Sequence, residues 1–196
     1  MKLHLLFFFL AFGVLTLNGC KDDDEDVLSP GAVLNYAGPQ FTSPAFDAGN
    51  VNFLAYYPPA VTSQFNGQSL TEVEFDLVRV PQAVFVGVYE DSGNPDFPGQ
   101  LIYDSGNIAG RLSGGAQTVT QTLDNAIRLQ GQGLWIGVEV VLATDRAQSV
   151  GCDRGENYNP NGDRLNIEGA GNQRIWTDFQ TVSGERVNWN VRGILR

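Results

Sequence analysis

Along much of the chain, apolar and polar residues alternate with a period of two. Val73, Phe75 and Leu77 interleave with Glu72, Glu74 and Asp76, and Val84, Val86 and Val88 repeat the pattern. Such alternation turns one side of a strand to a core and the other to water. Residues 51–57 are rich in β-branched and aromatic side chains and stop at Pro58-Pro59, which cannot continue a ladder. Asn66-Gly67 marks a turn, and residues 91–99, crowded with Asp, Gly, Asn and Pro, mark a loop. Residues 134–141 are apolar on both faces, which predicts a central strand. Shorter strands are expected over 101–103, 118–123, 164–168, 173–179 and 186–195. Many short strands separated by turn signals, with no long run of helix formers, predict an all-β domain. The expected form is a jelly-roll-like antiparallel β-sandwich, one domain over residues 31–196.

The N-terminus follows a different pattern. Lys2 precedes an apolar run, interrupted only by His4, that ends in Leu17-Asn18-Gly19-Cys20. A basic start, a short hydrophobic segment and small residues before a Cys read as a cleaved export signal. The site resembles a bacterial lipobox, so residues 1–19 are expected to be a lipoprotein signal peptide and Cys20 the lipidated first mature residue. Residues 20–30 form a linker whose five consecutive acids, Asp22 to Asp26, repel one another into an extended form. Lys21 followed by these acids resembles the surface-export signal of Bacteroidota lipoproteins. The expected location is therefore the outer membrane, lipid-anchored at the cell surface, with a periplasm-facing spacer as the alternative.

From Val27 onward the chain carries 17 acidic residues, 10 Arg and no Lys, a formal net charge of −7. A negative domain without a basic cluster excludes nucleic acid as a partner, since phosphate contacts supply most of that affinity. With His4 removed, no His is left, which excludes Ser-His-Asp and Cys-His catalysis and His-based zinc sites. If Cys20 is lipidated, Cys152 is the single free thiol, expected as a small buried apolar residue. A metal would have to be a hard cation held by oxygen, which points to calcium.

Three constellations could carry function. Asp153, Asn157, Asn159, Asn161 and Asp163 fall in one loop dense in oxygen ligands, with Gly162 allowing a sharp bend. This is the main candidate for calcium, and a plain Asn/Gly-rich loop is the alternative. Asp91, Asn94 and Asp96 form a weaker candidate, and Asp47 another. Glu72 and Glu74, on one strand face roughly 6.5–7 Å apart, raise the alternative of a retaining glycoside hydrolase, against a strand that simply turns its polar face to water. Trp176 shares a polar face with Arg174 and Asp178, so Trp176, Arg174 and the loop residue Tyr158 are the expected ligand contacts. A rim position covering the core is the alternative for Trp176. Trp135 and Trp189 are expected in the core.

A family resemblance covers about residues 50–196. Residues 66–75 (Asn-Gly-Gln-Ser-Leu-Thr-Glu-Val-Glu-Phe) are similar to the opening strand of the jelly-roll adhesin, or haemagglutinin-type, modules found beside gingipain-like cysteine peptidases. The strand 84–90 leads to Pro98-Gly99-Gln100-Leu101-Ile102-Tyr103, which resembles a step of those modules. Leu134-Trp135-Ile136-Gly137, Gly151-Cys152-Asp153, Trp176 and residues 188–192 (Asn-Trp-Asn-Val-Arg) follow in the same order. The resemblance implies a calcium-stabilised, non-catalytic module that binds a glycan or a surface or extracellular protein. This chain departs from it by standing without a peptidase domain and with a lipid anchor. An enzyme and a structural or assembly lipoprotein are the other classes to weigh.

Overall fold

The computed structural model describes residues 31–168 and 173–196. The signal segment, Cys20 and the acidic linker lie outside the described residues. Among the described residues there are twelve strands: β1 Val33–Leu34, β2 Ala45–Phe46, β3 Gly49–Tyr57, β4 Ser69–Leu77, β5 Ala83–Glu90, β6 Leu101–Asp104, β7 Gln117–Arg128, β8 Leu134–Leu142, β9 Ala147–Gln148, β10 Arg164–Glu168, β11 Arg174–Asp178 and β12 Val191–Leu195. They form a four-stranded sheet, β1-β12-β4-β7, a six-stranded sheet, β11-β10-β3-β8-β5-β6, and the small pair β2-β9. Every pairing is antiparallel. The protein is an antiparallel, jelly-roll-like β-sandwich.

The alternation does what period two requires. Val73, Phe75 and Leu77 of β4 and Val84, Val86 and Val88 of β5 are buried in one core with Val51, Phe53, Val138, Val140 and Leu165. As the apolar pattern predicts, β8 is internal, paired with β3 on one side and β5 on the other. Trp189 sits in the core as expected, edge-on to Phe53 with ring centres 4.9 Å apart, and donates Nε1–H to the Arg164 carbonyl at 3.0 Å. Burying both the ring and its polar handle makes this Trp a strong anchor between the sheets.

Trp135 is also buried, but on the other face. It belongs to a separate small cluster with Leu54 and Tyr56, its ring 4.6 Å from that of Tyr56. The apolar residues on both faces of β8 thus serve two clusters. Asp76, expected on the wet face of β4, is also buried. Arg192 of β12 lies across it with Nη2 2.8 Å from Asp76 Oδ2, and Thr118 donates to Oδ1 at 2.7 Å.

Some bounds differ from expectation. The final expected strand begins only at Val191, because Asn188 and Asn190 direct their side chains into loops, to Asp153 and to Gly38. Phe179 opens a short helix, α1 Phe179–Ser183, whose first turn is capped by Asp178 accepting from Thr181 N–H at 2.7 Å. Before β4 the chain turns through Pro59–Thr62 and Ser63–Phe65, both helical.

Candidate functional site

Because side chains alternate across a strand, the residues of β3 and β8 that miss the main core face outward from the six-stranded sheet. Register aligns Trp176, Asn166, Asn52, Glu139 and Phe85 in one row across β11, β10, β3, β8 and β5. Four strand spacings of about 4.8 Å make this row ~19 Å long. Trp176, 38% exposed, stands at its open end on the edge strand. The alternation of β11 places it on the polar face beside Arg174, as the sequence predicts.

Arg174 ties the row together. Its Nε donates to Asn166 Oδ1, and its Nη1 lies 3.0 Å from Glu139 Oε1. The amides beside it are buried and incompletely used. Asn52 donates from Nδ2 to the Tyr89 hydroxyl at 3.1 Å, while its Oδ1 and the Nδ2 of Asn166 have no partner. Both atoms are shut off from solvent, so the groups this row presents outward are the Trp176 ring and the part-exposed Arg174–Glu139 pair.

Two facing glycines shape the floor. Gly87 and Gly137 are register partners, and the Tyr89 ring lies 3.0 Å from where a Cβ on Gly87 would stand. A Cβ on Gly137 would meet Asn52 Oδ1 at 2.8 Å. Only bare backbone lets Tyr89 fold back to reach Asn52, and burial raises the pKa of its phenol. Beside it a cavity of about 190 Å³ opens between Phe85, Tyr89, Leu101, Asp104 and Glu139. The face thus offers an aromatic ring at one end, a polar middle and a hollow at the other. Sequence reading missed Asn52, Asn166, Glu139 and Tyr89. The paired glycines were the one signal in the chain for them.

The loop with the five expected calcium ligands is organised differently from the expectation. Asp153 is buried, and its carboxylate accepts four hydrogen bonds. These come from Gly38 N–H and Asn188 Nδ2 on Oδ2, both at 2.9 Å, and from Asn188 N–H at 2.7 Å and Gly155 N–H at 2.8 Å on Oδ1. Burial would raise its pKa, but these donors outweigh it and hold the carboxyl below its ordinary value. Asn188 also accepts from Asn159 N–H at 2.9 Å and donates to the Asn157 carbonyl at 3.3 Å. Its carboxamide therefore links Asp153 to both Asn157 and Asn159.

The other expected ligands are spent locally. Asn159 Oδ1 takes Asn161 N–H, and Asn161 Oδ1 faces Arg164. These oxygens are met by the protein's own donors. Asp163 alone keeps a buried oxygen, Oδ1, without a partner. Burial pushes its pKa up to about 6, and nearby Asp178 adds to the rise against hydrogen bonds from Gln180 N–H and the Tyr158 hydroxyl. Among the weaker candidates, Asp91 accepts from Tyr56 and Gly93, Asn94 accepts from Asp96 N–H, and Asp96 lies 4.0 Å from Arg164. Asp47 is exposed. Among the described residues, no group of three or more His, Cys, Asp or Glu comes together to hold a metal.

Tyr158 is held in this loop, its hydroxyl 3.2 Å from Asp163 Oδ2 and its ring under Arg186. It is not in the row with Trp176 and Arg174. Glu72 and Glu74 are ion-pair partners, Glu72 to Arg196 at 2.9 Å and Glu74 to Arg192 at 3.1 Å. Cross-strand register places Arg192 opposite Glu74, so β4 and β12 carry a charge ladder where the sequence raised paired catalytic carboxylates. Cys152 is fully buried, and its thiol is pushed up to about 12 by burial first and then by Asp153, which makes it unreactive.

No protein-family model matches the chain, and no curated protein matches it. Among solved structures, it is similar to a clostridial cysteine protease after propeptide cleavage, at 12% identity and a TM-score of 0.49 over 85% of this chain and 40% of that one. It is also similar to the cysteine protease and lectin-like domains of a surface-layer-associated protein of Clostridium difficile. There the identity is 14% and the TM-score 0.48, over 76% of this chain and 32% of that one. The chain spans less than half the length of either.

Proposed function

We propose that this protein is a non-catalytic saccharide-binding module, displayed on the cell surface by a lipid on Cys20, and that the outer face of its six-stranded sheet receives the ligand. The observation that carries this reading is the part-exposed Trp176 ring on one sheet face with the part-exposed Arg174–Glu139 ion pair. Sugars need both elements. Their C–H faces stack on aromatic rings, and their hydroxyls exchange hydrogen bonds with charged pairs. A row ~19 Å long suits several linked sugar units better than one. The resemblance to adhesin modules agrees with a binding role.

A protein ligand is the second reading, favoured by β11 being an edge strand open to pairing, with Ile175 exposed on the face opposite Trp176. Binding of the protein to target cells separates the two. Periodate oxidation of the cells, which cleaves vicinal diols, should abolish binding. Loss after protease treatment, with periodate harmless, would move the assignment to a protein. Anchoring is tested separately. Cys20→Ala should release the protein from the outer-membrane fraction, since lipid is the attachment assigned to it, and a variant that stays in that fraction would refute the anchor.

A further inference from the structure

A second hollow, of about 300 Å³, opens between the segment after β1 and the loop before β10, lined by Gln40, Phe41, Arg154, Glu156 and Asn157 among others. It shares no lining residue with the Trp176 row. Its walls are fixed before any ligand arrives. Phe41 N–H bonds the Cys152 carbonyl at 2.8 Å, Gly38 N–H bonds Asp153, and Asn190 Nδ2 holds the Gly38 carbonyl at 2.9 Å. The Asp153–Asn188 network holds the opposite wall.

Arg154 is the informative residue. Its guanidinium carbon lies 3.8 Å from the centre of the Phe41 ring, which is 55% exposed. Stacking on an aromatic face immobilises the guanidinium while leaving its in-plane N–H groups free. Among the described residues those groups make no hydrogen bond and no ion pair. A planar, pre-oriented fork of donors matches a carboxylate. The same hollow also holds Glu156, exposed, with Gln40 and Asn157. Glu156 would repel a bare anion, and the domain's net charge of −7 works against a dianion such as phosphate. A ring carrying one carboxylate and several hydroxyls satisfies both ends. The carboxylate meets Arg154, and the hydroxyls donate to Glu156 and exchange hydrogen bonds with Gln40 and Asn157. The volume lies at the small end of the range for ligand pockets, the scale of a single sugar unit.

We propose that this hollow is a second binding site, specific for one acidic monosaccharide unit of the uronic-acid class, with Arg154 as its carboxylate receptor and Phe41 as the platform that orients Arg154. The assignment does not rest on the role given to Trp176.

The full chain should be titrated with glucuronate, with glucose and acetate as the neutral-sugar and bare-carboxylate controls, by calorimetry and by amide shift perturbation. Glucuronate should bind and move the amides of residues 38–41 and 153–157, while glucose and acetate bind at least tenfold more weakly. Arg154→Ala and Arg154→Gln, the latter keeping a stem against Phe41, should each lose tenfold or more with unchanged melting curves. Acetate binding as well as glucuronate would reduce the site to an anion hole and overturn the proposal. So would equal binding of glucose, no glucuronate binding at millimolar concentration, or wild-type affinity in both Arg154 variants.

Discussion

Removing the Asp153 carboxylate should damage the fold more than the loss of any other single side chain in its loop. Asp153→Ala strands four donors: Gly38 N–H, Gly155 N–H, Asn188 N–H and Asn188 Nδ2. The two on Asn188 are buried, at about 1–3 kcal/mol each when unpaired. The two on glycines are only partly buried and can turn to water at lower cost. The total is ~3–5 kcal/mol. In a domain of this size each kcal/mol lowers Tm by about 2–4 °C, so a fall of ~10–15 °C is expected. Circular-dichroism melts with and without EDTA read this directly, and the chelator should leave the wild-type curve unchanged because Asn188 organises the loop. The acid limb should change too. The folded Asp153 pKa is depressed, so its stabilisation is present above the unfolded value near 3.9 and lost as pH falls through the lower folded value. Asp153→Ala should lack that loss. A Tm within about 2 °C of wild type would refute the reasoning. So would a wild-type Tm that falls on chelation, which would restore the ion.

Asp163 gives the opposite pH dependence. Its folded pKa of about 6 lies above the unfolded value, so its contribution is fully present below ~4 and is lost as pH rises through about 6. Asp163→Asn should therefore raise Tm at pH 7.5, by the equivalent of ~2 kcal/mol, and flatten the pH dependence between 4 and 7; parallel Tm–pH profiles would contradict this. Arg192→Ala leaves buried Asp76 with Thr118 as its remaining partner and should cost about 2–4 kcal/mol in chemical denaturation. It should leave ligand binding unchanged, because the ladder lies on the other sheet from Trp176, and a neutral effect on stability would show the ladder to be merely a surface pair.

What could be read from the sequence follows from where period two is enforced. Val73, Phe75 and Leu77 have one wet side and one buried side, so β4 was legible, and the same phase put Trp176 on the polar face. The strand expected over 118–123 proved to run from Gln117 to Arg128, past a register shift in its pairing with β4, and its far half, mostly exposed, shows no clean alternation. Strands of two residues, β1, β2 and β9, have no period to detect. How the loop is held together was not legible from local spacing. Asn at every second position does make a loop, but the group at its centre, Asn188, comes from a part of the chain the spacing does not reach. The binding row was hidden for a related reason. Asn52 and Asn166 sit among apolar strand residues and become neighbours only through pairing of β3 with β10.

The central claim is that the outer face of the six-stranded sheet binds a saccharide through Trp176. The most direct measurement is retention of wild-type and Trp176→Ala protein on periodate-sensitive target cells, with melting temperatures taken on the same preparations. Trp176 is part-exposed at a sheet edge, so its removal should leave Tm within a few degrees, whereas emptying a core Trp position typically costs about 3–5 kcal/mol. As an aromatic anchor it should carry about 2 kcal/mol or more of binding, a loss of well over tenfold in affinity. A folded Trp176→Ala protein that is retained as strongly as the wild type would contradict the account.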